Sequence, residues 1–511
     1  MPTPNYTALL SQALIDYAGN KTGLYNALRS IHHTAYLAGD TIVYPANMTF
    51  EIQVTLDNQN NPQHIELPPV TDFNNCTFKV TNTTVKAVTL FILSTPFASL
   101  QDVGINKEEL IAGQPLSVLD DDPTLLIVTD NNVWTTRTEY DALGNPQVSP
   151  FKRKDILYVE NHIVQNDPIA TYNNNASNPI CQYIKVTTGL KQVKNLKFIR
   201  ESASTSLTNL LSINKQYNVK VENVEVFTPQ QPETGGIYGD QCIGVYNSAK
   251  IEMTNIVFHN TYSSIYNWGY GFNMINVWNS KFTNLYAIEA AKGIFGCEDI
   301  NALTVLNSQL NRVDVHCYGR NITCVNCTFK NSLNDFHIYN RFSSFYGTLR
   351  FNQCNFDRFL PVRIDSDYNA FTPFDLIMEN CYLKVLVSYN DDGSLRARFN
   401  CLVDIPSIGA ANPRPELQQK CLPNFNVSNL NLYVPSDVPN MCFLKIDSKT
   451  YTGNFYYMDT MIIDVYPYYQ ETPSPIPIYD TLNYAIQLVE PLTASFSRAA
   501  YSTIHNITGG S

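Results

Sequence analysis

At 511 residues the chain is too long for one compact core, and only 15% of it is charged, against 32 Tyr and 26 Phe. The formal net charge of −11, with no basic stripe or run, excludes nucleic acid as a partner. The longest apolar runs, such as 87–93, are far too short to cross a bilayer, so no membrane insertion is expected.

The amino end, Met1-Pro-Thr-Pro-Asn-Tyr6, shows no basic segment followed by an apolar run, and no secretory signal is expected. Residues 6–38 carry the one long helical pattern, with Leu9, Leu10, Leu14, Ile15, Leu24, Leu28 and Tyr36 at helical spacing. The break at Gly19-Asn-Lys-Thr22 predicts two helices, with Thr22 as the cap of the second. Gly39-Asp40 then turns the chain into strand, so residues 1–40 read as a helical cap over the open end of an apolar solenoid. His32-His33 lacks a third ligand nearby and is assigned to that cap rather than to a metal.

Residues 41–180 hold the first rungs plus an inserted β-subdomain. Asn75-Cys-Thr-Phe78 is an early rung, but its phrase is then lost until Asn195. Between them Leu125-Leu-Ile-Val-Thr129 and Ile156-Leu-Tyr-Val-Glu160 are strong strands, and Tyr140-Asp-Ala-Leu-Gly-Asn-Pro146 is a turn.

Residues 181–440 repeat a short phrase. Its copies include Val193-Lys-Asn-Leu-Lys-Phe198, Met253-Thr-Asn-Ile-Val-Phe258, Val277-Trp-Asn-Ser-Lys-Phe282, Val305-Leu-Asn-Ser-Gln-Leu310, Cys324-Val-Asn-Cys-Thr-Phe329, Phe351-Asn-Gln-Cys-Asn-Phe356 and Met378-Glu-Asn-Cys-Tyr-Leu383. The amide column runs through Asn195, Asn223, Asn255, Asn279, Asn307, Asn326, Gln353, Asn380 and Asn429, the last interval reading as two turns. A period near 25 residues, built of alternating strands without helices, is the signature of stacked parallel rungs. Stacked Asn side chains at a bend can donate to the next carboxamide in the column. Cys327, Cys354 and Cys381 recur 27 residues apart and are expected inside as free thiols; Cys324-x-x-Cys327 has no partner pair for a metal site.

On these residues the chain resembles the right-handed parallel β-helix, pectate-lyase-like superfamily, and within it most closely phage tailspike proteins. The fold expected is therefore all-β, a right-handed parallel β-helix with a helical amino-terminal cap and a small carboxyl-terminal domain at 441–511. The resemblance implies a homotrimer, contacts with other virion or tail proteins, and binding, with depolymerisation, of a bacterial surface polysaccharide. It places the chain at the virion tail, or outside the cell by a route without a signal peptide. A nonenzymatic receptor-binding or structural fibre is the opposing reading.

No catalytic motif is matched, so candidate chemistry rests on the rungs themselves. Arg312-Val-Asp-Val-His-Cys317, Asn334-Asp-Phe-His-Ile338 and Val362-Arg-Ile-Asp-Ser366 alternate so that Val313, Val315, Cys317, Phe336, Ile338, Val362 and Ile364 face inward. Asp314, His316, Asp335, His337 and Asp365 then face outward as candidate catalytic groups, with Arg312, Arg320, Arg341, Arg363 and Glu289 as substrate-binding groups. Strands about 4.8 Å apart bring carboxylates on adjacent or next-adjacent rungs into the range of about 5–9.5 Å used in glycoside hydrolysis. The arginines suit the carboxylate of an acidic sugar, and the histidines suit proton transfer. The same pattern also describes a noncatalytic anionic-sugar site or a salt-bridge ladder between rungs. Tyr262, Tyr266, Trp268, Tyr270 and Phe272 share one parity and form a possible sugar-stacking strip or a buried contact face. No cofactor and no metal are expected; no phosphate loop, nucleophile elbow or His-Glu-x-x-His motif is present.

Overall fold

The computed structural model describes residues 4–497 except 58, 60, 82–87, 95–98, 134, 141–145, 174, 176, 202–207, 228–241, 260–269, 288–292, 331–338, 365–373, 385, 390–394, 400, 406–422, 435–443, 447–459, 470–478 and 481–492. Two helices open the chain, α1 (Tyr6–Asp16) and α2 (Lys21–Ala38). The cap of α2 is Asn20 rather than Thr22, because Asn20 Oδ1 accepts the Gly23 amide at 2.8 Å and satisfies an otherwise orphaned donor. Gly39, at φ 68°, ends α2 in a left-handed conformation that needs no Cβ. The inner face of α2, with Leu24, Tyr25, Leu28, His32 and Ala35, seals the core of the first rungs. His32 is fully buried there, its Nε2 2.7 Å from the Tyr44 hydroxyl, and burial lowers its pKa to about 3, so it sits neutral in the cap.

Beyond the helices the chain is a parallel β-helix. Strands such as Lys191–Arg200, Tyr217–Phe227, Ile243–His259, Tyr270–Ala287, Gly293–Leu306 and Val313–Val325 each pair in parallel with the next turn of the chain. Alternate residues enter one continuous core, where Phe329 stacks on Phe356 at 4.9 Å and Phe272 on Phe295 at 5.2 Å. Cys327, Cys354 and Cys381 are buried free thiols in one column; the Cys354 and Cys381 thiols each donate to a backbone carbonyl 30 residues back, on the previous turn. Each of them fills an inward slot as a small apolar group.

The corners of the rungs are marked by residues at positive φ, and the register places these in three columns. One holds Asn195, Asn223, Asn255, Asn284, Asn307, Asn326, Gln353, Asn380 and Asn429; a second holds Asn218, Lys250, Asn279, Ala302 and Asn321; a third holds Lys215, Asn247, Asn276, Asp299, Tyr318 and Ser344. Asn is the side-chain-bearing residue most at ease in that conformation, which explains its abundance at the bends. In the first column the amide ladder forms: Asn223 donates to Asn195 (2.8 Å), Asn255 to Asn223 (2.9 Å), Asn284 to Asn255 (3.0 Å) and Asn326 to Asn307 (2.9 Å). The ladder passes through Asn284, and Asn279, expected in it from the repeat phrase, turns the second corner instead. Asn429 donates directly to Asn380 at 2.7 Å, so the 49 residues between them make one turn, not two. The excess length includes an antiparallel hairpin, Leu386–Tyr389 with Leu395–Phe399.

Residues 95–190 interrupt two consecutive rungs, since Val70–Thr81 pairs with Lys191–Arg200 and Val88–Ser94 with Thr208–Asn214. The interruption contains a five-stranded sheet, with Thr124–Thr129 between Lys154–Glu160 and Ile180–Lys185. Its sheet packs Leu125, Ile156, Tyr158 and Ile184 against Ala249, Tyr217 and Trp278 of the solenoid, and Tyr158 stacks on Tyr217 at 4.2 Å. Toward the carboxyl end the parallel ladder continues: Thr460–Tyr469 pairs with Asn424–Val434, and Thr493–Ser497 with Thr460–Tyr469.

Candidate functional site

The outward face of the central rungs carries one charged column fixed by register. Asn273 opposes Gly296, Gly296 opposes Asp314, Asp314 opposes Arg341, Arg341 opposes Arg363, and Arg363 opposes Asp404. The inward neighbours Val313, Val315, Cys317, Val362 and Ile364 lie in the core, as the alternation requires. The rung between Asp314 and Arg363 is Tyr339–Phe342, five residues later than the strand expected from the sequence, and this brings Arg341 beside Asp314. Asp335, His337, Asp365, Glu289, Tyr266 and Trp268 lie outside the described residues.

Asp314 faces away from the core but is fully buried, contrary to the exposed position expected for it. Its Oδ2 accepts from Arg312 Nη2 at 2.6 Å and from the Tyr270 hydroxyl at 2.7 Å, with His316 Nε2 at 3.2 Å. Arg341 Nε stands 4.0 Å from the other oxygen. Burial alone would raise the carboxyl pKa, but Arg312, His316 and Arg341 outweigh it and hold Asp314 well below the usual carboxylate range. Burial likewise opposes charge on His316; Asp314, with help from Glu298, reverses the balance and raises its pKa. Both shifts favour the charged pair, carboxylate with imidazolium.

Tyr270 reaches this carboxylate by lying across Gly296. A Cβ at Gly296 would stand 2.6 Å from the Tyr270 ring, so only glycine lets the phenol close over Asp314. Burial and then Asp314 hold the phenol well above its usual range, which keeps it a neutral donor. Of the expected aromatic strip, Tyr270 is therefore part of the charged cluster, and Phe272 is a core residue between Phe258, Phe282 and Phe295.

Arg312 is also fully buried, its guanidinium 5.0 Å above the Tyr339 ring; Arg363 packs on the same ring at 4.7 Å and reaches Asp404 Oδ2 at 3.6 Å. Arg320 belongs elsewhere. It donates to the Pro168 carbonyl of the inserted sheet, next to Asn301 Nδ2 on the Asp167 carbonyl (2.9 Å) and Tyr318 on the Phe151 carbonyl (3.2 Å), so it docks that subdomain rather than joining the column. The sequence reading missed Glu298, 3.8 Å from His316, and also Tyr339, Gly296 and Asp404. Their signal was the register between rungs, which depends on loop lengths and not on the repeat phrase. No cluster of three or more metal-ligating side chains occurs among the described residues.

No family model matches the chain, and no curated protein matches its sequence. Among solved structures it is similar to the tailspike protein gp49 from Pseudomonas phage LKA1, with TM-score 0.48, 11% identity, and coverage of 97% of this chain and 81% of that one. It is also similar to the gp54 tailspike of Acinetobacter baumannii bacteriophage AP22 in complex with an A. baumannii capsular saccharide, with TM-score 0.37, 11% identity, and coverage of 94% and 78%. A mutant tailspike of E. coli bacteriophage HK620 in complex with a pentasaccharide gives TM-score 0.32, 10% identity, and coverage of 96% and 64%.

Proposed function

We propose that this chain is a tailspike-like protein of a virion tail that binds a bacterial surface polysaccharide along the outward column and depolymerises it. The observation that carries the reading is that column: Asp314, Arg341, Arg363 and Asp404 follow one another on consecutive rungs, with His316 and Tyr270 beside the first. Rungs about 4.8 Å apart spread the four side chains over about 14 Å along the solenoid, so the column can meet a short stretch of saccharide laid along it. Arg341 and Arg363 retain partial exposure, at 14% and 29% of the side chain, and suit an acidic sugar. In a hydrolase one of Asp314, Asp335 and Asp365 would be the acid and another the base or nucleophile; in a lyase His316 or His337 would take the proton.

One observation favours a second reading, a nonenzymatic receptor-binding fibre: Asp314 is fully buried and already neutralised by Arg312 and His316, which is how a structural ion-pair cluster is built. Incubating the protein with purified capsular polysaccharide separates the two. Depolymerisation is expected, seen as new reducing ends, with an added ultraviolet absorbance if the product is unsaturated. Binding without either signal would leave the fibre reading, and Arg341→Ala with Arg363→Ala leaving binding unchanged would remove the column from the proposal. A homotrimer with other tail proteins as partners goes with this reading, and light scattering giving the mass of one chain would count against it.

A further inference from the structure

We propose that the cleft between α2 and the first rungs is a binding site for a single carboxylate-bearing sugar unit of the uronic-acid type. The cleft encloses about 440 Å³, within the range of about 300–1,000 Å³ usual for small-ligand sites. Asn26, Arg29, Ser30 and His33 line one wall, and His64 and Glu66 the other. The helical four stand at i, i+3, i+4 and i+7 and so share one face of α2, opposite to the core-facing Leu24, Leu28 and Ala35. This face is not explained by sealing the solenoid.

Each wall has a defined role. Arg29 donates Nε to the His64 carbonyl at 3.1 Å, which fixes the plane of its guanidinium while its terminal amino groups are free of any partner among the described residues. A fork held in that way presents two parallel donors to a carboxylate. Glu66 is tied to His33 Nδ1 at 2.5 Å, and burial lowers the pKa of His64, so Arg29 is the fixed cation of the lining. Glu66 on the opposite wall disfavours a doubly charged phosphate and accepts from hydroxyls, as do the Asn26 amide and Ser30. All six lining side chains are polar or charged, two of them imidazoles, which fits a small polyol with one negative charge.

The test is calorimetric titration of the full chain with sodium glucuronate, with glucose and inorganic phosphate as controls. Saturable millimolar binding of glucuronate is expected, with glucose and phosphate weaker by about tenfold or more. Arg29→Gln and the exposed His33→Ala should each weaken glucuronate by about tenfold, and if Arg29→Gln fails to fold, His33→Ala decides. Lys330→Ala, an exposed substitution on the solenoid, should leave this binding unchanged. No saturable binding, equal binding of glucose or phosphate, or unchanged affinity in both cap variants would overturn the proposal. Loss of glucuronate binding in Arg341→Ala would also overturn it, by placing the sugar on the central column and so supporting the function proposed there.

Discussion

Replacing Asp314 by Asn removes the one negative charge that Arg312, Tyr270 and His316 share in a fully buried cluster. An amide keeps the volume and can accept one of the three bonds, but it takes from the buried Arg312 guanidinium its carboxylate partner at 2.6 Å. Breaking a buried pair in that way costs about 3–5 kcal/mol. The pH dependence gives a second, sharper readout. Asp314 has a depressed folded pKa, so its contribution is present above the unfolded value of about 3.9 and is lost as pH falls through the folded value. His316 has a raised folded pKa, so its contribution is complete below about 6.5 and is lost as pH rises through the folded value. Wild-type stability should therefore decline as pH rises above about 6.5, and this decline should vanish in Asp314→Asn, where His316 has lost its principal partner. Urea unfolding followed by tryptophan fluorescence at pH 6 and at pH 9 measures both effects. A variant with the wild-type midpoint at pH 6, or one that keeps the alkaline decline, would refute the assignment of Asp314 as the centre of the cluster.

Two further substitutions probe the solenoid. Phe329→Ala, which removes a ring stacked on Phe356 and packed against Phe351 and Phe359, should cost about 3–5 kcal/mol in the same urea assay, and a loss under 1 kcal/mol would argue that the core collapses around the cavity. Asn255 both donates to Asn223 and accepts from Asn284 at φ 56°, so Asn255→Ala loses two ladder bonds of about 0.5–1.5 kcal/mol each and adds about 1–2 kcal/mol of left-handed strain, whereas Asn255→Gly loses the bonds without the strain; equal midpoints for the two variants would contradict this division.

The inward residues were legible because their period of two is set by the strand itself. Val313, Val315, Phe329, Phe356 and the three stacked cysteines therefore fell where alternation puts them. The amides were legible as a type but not always as a position. Asn occupies all three corner columns for the same reason, its tolerance of positive φ, so the phrase around Asn279 looked like that around Asn284 and the two corners were exchanged. Register between rungs was harder still. Alternation fixed the parity of Asp314 and Arg363, but where the rung between them begins decided that Arg341 would sit beside Asp314.

Burial of the outward face was the feature least open to sequence reasoning, because it depends on contacts made across rungs. A charged residue at an outward position is exposed by default, yet Tyr270 crosses the intervening strand to close over Asp314, and it does so because Gly296 on that strand has no side chain. The signal for such a lid is a glycine in an otherwise bulky column with an aromatic one rung below, and neither residue announces it alone. The same geometry divides the labour at the column. Asp314 and Arg312, wholly enclosed, set the charge and orientation of His316, while Arg341, Arg363 and Glu298 retain the exposure needed to meet a ligand. A sugar approaching the column would therefore touch the arginines and His316 before any carboxylate of the buried pair, so substitutions at Arg341 and Arg363 should act on binding and substitution at Asp314 on the architecture that presents them.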